Sequence, residues 1–219
     1  MAKQNRVTES VLAQKVEAQL SERRARYTDE VANIVEAAYK VIEATDSTDP
    51  SLRAILAEAG VSTPVFYRHF QSKDELLVLL LDDGRRQLAE YLKGRVDRAT
   101  DAESRVRAWI DGMLAQVVAP SAAHRTRPFF IDQGRLDRHY AAEQRESVRR
   151  LVDLLHPHLT ELAGPGVSAT TVERHAMAIY WMVTGTMRQH LTDETTPTKA
   201  ERTHLADFCI AGVRHSGSL

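Results

Sequence analysis

The stretch from Ser51 to Phe70 constrains this chain more than any other. It reads Ser-Leu-Arg-Ala-Ile-Leu-Ala-Glu-Ala-Gly-Val-Ser-Thr-Pro-Val-Phe-Tyr-Arg-His-Phe, and its punctuation predicts two short helices joined by a tight turn. Leu52, Ile55 and Leu56 fall at helical spacing, which leaves Arg53 and Glu58 to face water. Ser51 suits an N-cap, because its hydroxyl can accept an unpaired N–H of the first helical turn. Gly60 stops the helix, since glycine tolerates the left-handed conformation that a helix end often needs. Ser62 is expected to cap the second helix. Pro64 fits the first turn of that helix, where no N–H partner is required. Val65, Phe66 and Phe70 supply apolar anchors, while Thr63, Tyr67, Arg68 and His69 are left to project. Two crossed helices with a glycine turn form a helix-turn-helix, whose second helix enters the major groove of DNA.

The surrounding chain also reads as helix. Only 10 glycines and 7 prolines occur in 219 residues, too few for a turn-rich sheet protein. A first helix is expected from near Thr28 to Ala44, with Val31, Ile34, Val35, Ala38, Val41 and Ile42 as its apolar stripe. Residues 1–26 form a polar arm carrying Arg23-Arg24-Ala25-Arg26. It reads either as a solvated tail or as a basic arm that follows phosphates, and Val7, Val11, Leu12, Val16 and Leu20 are spaced for a weak amphipathic extra helix. A long helix is expected from Ser72 to about Tyr91, and another from Ala102 to Val118. Leu136 to Leu162 reads as a helix interrupted near Pro157. Ser168 to Leu191 and Pro197 to Val213 are the last two helices. The fold class is therefore all-α: a three-helix head over 27–72 and a helical body over 73–219.

Composition narrows the function classes. The chain is 43% hydrophobic and 27% charged, an ordinary globular balance, and its net charge is −1. A DNA-facing patch must then come from where charges sit, not from a net excess. The single Cys209 excludes an intrachain disulfide and fits a reducing cytoplasm. No apolar run reaches the roughly 18–20 residues that span a bilayer, so no membrane association is expected. His156 and His158 are two apart, which does not put both on one helix face. No metal site and no cofactor are expected. There is no Gly-rich phosphate loop, nucleophile elbow or zinc motif, and Cys209 has no local base. The chain is not expected to be an enzyme.

The segments Ala59-Gly60-Val61-Ser62, Phe66-Tyr67-Arg68-His69-Phe70 and Ser72-Lys73-Asp74-Glu75-Leu76, in that order, resemble the signature of the tetracycline-repressor (TetR) family of transcriptional regulators. Upstream, Ile34-Val35-Glu36-Ala37-Ala38 is similar to that family's first helix. The match covers about the first third of the chain. The resemblance implies phosphate contacts from Tyr67 and Lys73. Position on the motif adds Arg53, Ser62, Thr63, Pro64, Val65, Arg68 and His69 as candidate DNA contacts.

For the body, the resemblance implies a cavity that binds a small molecule. Trp109, Met113, Gln116, Val117, Phe129, Phe130, Leu155, Tyr180 and Trp181 are the candidate lining, with His124, Arg127, Gln133 and His139 as further polar anchors. From the residues alone, the large apolar ones suit a solid core equally well. The resemblance also implies a four-helix dimer interface from the last two helices. Ile179, Met182, Val183, Thr186, Leu205, Phe208, Cys209 and Gly212 are its candidates. The expectation is a cytoplasmic, ligand-responsive homodimeric regulator. It would be a repressor released from a palindromic double-stranded DNA operator by a small, mainly apolar effector. The alternative is a helical small-molecule-binding protein that has lost operator binding, for which Leu56 and Pro64 are the motivation.

Overall fold

A computed structural model gives the structure of this chain. It describes residues 2–45, 50–119, 122–123 and 140–215, with the side chains of α1 from residue 17 onward and of Lys15. Among the described residues there are nine helices and no strand: α1 (Ala2–Thr45), α2 (Leu52–Ala59), α3 (Thr63–His69), α4 (Lys73–Val96), α5 (Ala102–Val118), α6 (Ala141–Val152), α7 (His156–Ala163), α8 (Ala169–Asp193) and α9 (Lys199–His215). They divide into two compact units, residues 1–41 with 50–72 and residues 42–49 with 73–219.

One helical boundary differs from expectation. α1 does not begin near Thr28 but runs unbroken from Ala2. Residues 2–27 contain no Gly or Pro and are rich in Ala, Gln, Glu, Arg and Leu, all strong helix formers. Residues 17–29 are exposed, including Leu20 and Tyr27. That is why the weak apolar spacing of Val7, Val11, Leu12, Val16 and Leu20 does not continue through residues 21–29. From Ile34 onward α1 turns apolar, and Ile34, Ala37, Ala38 and Val41 are buried. With Ile55, Ala59, Phe66 and Phe70 they supply the apolar interior of the first unit.

In the second unit α4 packs on α5 and α6, and α5 packs on α7, α8 and α9. α4 extends past Tyr91 to Val96 because Leu92 and Val96 are buried in the core of this unit. Gly112 lets α5 approach: a Cβ there would stand 2.5 Å from Leu92 Cδ2 and 3.1 Å from Arg95 Cδ. The break expected near Pro157 falls just before it, between α6 and α7. Pro157 opens α7 in the first turn, where its missing N–H costs nothing. Ser168 caps α8 by accepting the Thr171 N–H at 3.1 Å. Thr198 and Glu201 close a reciprocal capping box at the start of α9, at 3.2 and 2.7 Å. No helix among the described residues is long and apolar enough to cross a membrane.

Candidate nucleic-acid interface and ligand cavity

The head is set by local backbone chemistry. Ser51 Oγ accepts the Ala54 N–H at 3.1 Å and fixes the start of α2. Gly60 takes φ +63°, where an L side chain would be strained. Its N–H donates to Ala57 O at 3.3 Å and the Val61 N–H donates to Leu56 O at 3.1 Å, which closes the helix end. Ser62 stands at the N-cap of α3 with extended backbone, but its hydroxyl makes no capping bond. Two features explain this correction. Pro64 has no N–H to offer, and the Val65 and Phe66 N–H groups donate to the Ser62 carbonyl at 3.0 and 3.1 Å. The hydroxyl is exposed instead.

Several of the expected DNA contacts come together. Arg53 of α2 and Ser62, Thr63 and Pro64 at the start of α3 line one open groove of about 600 Å³, with Leu56 and Val61 at its base. All four are exposed, and Val65 is half-buried beside them. Tyr67 is 54% exposed, its ring meeting the buried Phe66 ring edge-on at 5.3 Å. The phenol thus has a fixed seat and a free tip. The Arg68 guanidinium is exposed and stands 3.3 Å from Glu30 Oε2. Lys73 is the first residue of α4, in the second unit.

His69 does not project. Its side chain is fully buried, and Nε2 lies 2.5 Å from Glu30 Oε2 of α1. An ionised carboxylate only accepts, so the ring N–H donates. The Tyr27 ring closes over the imidazole at 4.4 Å, edge to face. His69 therefore ties the end of α3 to α1 and is withdrawn from the candidate phosphate contacts. Glu30 and Tyr27, which do this positioning, carry no signal in the sequence because they lie about forty residues upstream.

The His69 hydrogen bond, helped by the charge of Arg68, holds the Glu30 carboxyl below the ordinary glutamate range. Such a group binds fewer protons folded than unfolded. Its contribution is complete above the ordinary range and is lost as pH falls through the lowered value. Protection of the α3 amides against hydrogen exchange, taken relative to the intrinsic rate at each pH, should therefore fall on acidification below that range. Glu30→Gln should flatten this acid slope, and an unchanged slope in the variant would remove Glu30 from the role.

In the body, the candidates for ligand contact separate into two groups. Trp109, Met113, Val117 and Leu155 are closed into the core. The Trp109 indole N–H donates to Leu151 O at 2.9 Å, so its polar atom is satisfied inside the protein. Gln116 is half-buried on the same helix, its amide directed at Gly112 O. Tyr180 is buried in the same core, yet with the exposed Trp181 it also lines a cavity of about 340 Å³ between α4, α6 and α8. Phe129 and Phe130, with His124, Arg127, Gln133 and His139, lie outside the described residues.

The candidates for a dimer interface also divide. Ile179, Val183 and Cys209 are buried in the core of their own chain, so they are not available to a partner. Burial pushes the Cys209 thiol up to about 11, which makes it inert as a nucleophile. Met182, Thr186 and Leu205 are half-buried, and Phe208 and Gly212 are exposed.

Residues 34–80 match the family model described as bacterial regulatory proteins, tetR family. A TetR transcription regulator from Haloarcula marismortui superimposes with a TM-score of 0.63 at 17% identity, over 86% of this chain and 98% of that one. The transcriptional regulator FadR from Bacillus subtilis, in complex with stearoyl-CoA, gives 0.59 at 18% identity over 85% and 98%. RolR in complex with resorcinol gives 0.61 at 13% identity over 89% and 96%. At these identities the likeness is one of fold. Residues 34–80 thus match the head of tetR-family regulators, and the all-helical fold is like that of these structures.

Proposed function

We infer that this chain is a ligand-responsive DNA-binding transcriptional regulator, a homodimeric repressor that leaves a palindromic operator when a small, mainly apolar effector binds its body. The observation that carries this reading is the exposed face of α3. Ser62, Thr63 and Pro64 open it beside Arg53, Tyr67 stands free at its centre, and the buried Phe66 and His69 fix it from behind. A recognition helix needs this combination: side chains free to reach base edges and phosphates, on a backbone that does not move. Structural neighbours that hold stearoyl-CoA and resorcinol support the ligand-responsive part. The effector site of this reading is the cavity at Tyr180 and Trp181, not the closed interior beside Trp109.

Release follows from differential affinity. An effector that binds the body better in an arrangement that misplaces the two recognition helices lowers operator affinity by the ratio of its two affinities. The alternative reading, lost operator binding, drew on Leu56 and Pro64. Pro64 lies in the first turn of α3, where its missing N–H costs nothing, and Leu56 is half-buried in α2.

Tyr67→Ala tests the assignment. One hydrogen bond to a charged phosphate and its packing are worth roughly 1–2 kcal/mol, so affinity should fall about tenfold per half-site, on every sequence bound. The fold should be unchanged, because Tyr67 is exposed. Gel-shift titration against the DNA upstream of its own gene, at matched salt, is the measurement. Equal affinity of variant and parent would refute the role of Tyr67, and no shift by the parent would favour the alternative.

A further inference from the structure

The cavity between α4, α6 and α8 has two chemistries. Val148 and Val152 of α6 and Met177, Tyr180 and Trp181 of α8 make an apolar floor. Three arginines, Arg85, Arg145 and Arg149, and one acid, Glu173, line it as well. The charges are engaged unequally. Arg85 donates to the buried Gln144 Oε1. Glu173 stands 2.8 Å from His156 Nε2. Arg145 and Arg149 are exposed, and no carboxylate stands within ion-pair distance of either among the described residues. Spacing explains their placement. Residues 141, 145, 148, 149 and 152 fall on one face of α6, so the same helix surface offers two valines and two arginines to the cavity.

We propose that the effector is an amphipathic anion: a compact apolar body seated against Tyr180, Trp181 and Met177, with a carboxylate or phosphate held by Arg145 and Arg149. The proposal rests on the reading of this cavity as the effector site and adds an anionic head to its mainly apolar effector. Two guanidiniums side by side on a helix are costly to bring together and are relieved by an anion, which they bind in fork geometry. The apolar floor supplies affinity, and the arginines supply orientation and selection against neutral analogues. A volume near 340 Å³ lies at the lower end of the roughly 300–1,000 Å³ of small-molecule sites. That limits the enclosed body to a small ring system or a chain of modest length.

Calorimetric titration of the full chain with decanoate, decyl phosphate and decanol tests this. The parent should bind at least one of the two anions tenfold or more tightly than decanol. Which anion is preferred tells a carboxylate effector from a phosphate-bearing one. Arg145→Gln with Arg149→Gln should abolish the preference while leaving decanol binding as it was. Met177→Trp, which fills the cavity from its wall, should block all three probes. If Met177→Trp leaves binding intact, the cavity is the wrong site. If Met177→Trp blocks binding but decanol binds the parent as tightly as the anions, or the double variant keeps the preference, the cavity stands and the anion is wrong. Failure of the parent to bind any of the three overturns the proposal as stated.

Discussion

Trp109→Ala is expected to lower the stability of the helical body by about 3–5 kcal/mol, the range for emptying an aromatic site in a closed core. Trp109 is fully buried among Met113, Leu151 and Leu155, and its N–H is bonded to Leu151 O at 2.9 Å. Truncation removes the largest side chain of this core and leaves a cavity that surrounding helices can fill only in part. It also deletes the donor of a buried hydrogen bond. Against a total of roughly 5–15 kcal/mol for a domain, the loss brings the variant close to unfolding at ordinary temperature. Urea titration followed by circular dichroism should show a lower midpoint with an unchanged slope. The result also decides between the two sequence readings of Trp109. In a ligand cavity the ring would have an open side, and its removal would cost little in the free protein. A loss below about 1 kcal/mol would therefore return Trp109 to the cavity wall.

The head is legible in the sequence because its determinants are local. Ser51, Gly60 and Pro64 act on backbone groups within four residues of themselves, so their spacing alone predicts α2, the turn and α3. Phe66 and Phe70 follow from the same periodicity, and their rings stack at 5.2 Å. His69 is misread for the opposite reason. Nothing near it distinguishes an exposed imidazole from one buried against Glu30, a partner thirty-nine residues away. The continuity of α1 through Thr28 escapes because the apolar period of Val7, Val11, Leu12, Val16 and Leu20 is weak and the polar residues 21–26 interrupt it.

The body is legible only in outline. Trp109, Met113, Tyr180 and Trp181 are all large and apolar, and one-dimensional spacing does not say which of them meet and which leave a gap. α5 lies inside the unit and is covered on several sides by α4, α7, α8 and α9. Its Trp109 and Met113 therefore become core, while on α8 Trp181 is exposed and the buried Tyr180 forms a cavity wall beside it. Arg145 and Arg149 escape notice because a charge pair at helical spacing is ordinarily a solvated face. Only the fold shows an apolar floor beside them.

The same division applies to the last two helices, and it makes Phe208 the informative position. Ile179, Val183 and Cys209 face inward, so charging any of them would unfold the protomer and say nothing about association. Phe208 is 61% exposed. Gly185 and Gly212, on the same pair of helices, have nothing within 4 Å of an added Cβ. An exposed phenylalanine one turn from Gly212, with open space at Gly185 on α8, suits close approach by a second copy of α8 and α9. In a two-fold dimer each substitution occurs twice across the interface. Phe208→Glu should then bury two unpaired carboxylates, each costing on the order of 3–5 kcal/mol. Even one such cost raises the dimer dissociation constant at least a hundredfold. The protomer itself should keep its helical signal and melting behaviour, because the side chain stands in water when alone. Operator binding should fall with dimerisation, since a single recognition helix reads only one half of a palindrome. Sedimentation equilibrium at micromolar concentration is the measurement. A parent protein that sediments as a monomer, or a Phe208→Glu variant that remains dimeric, would place the interface elsewhere.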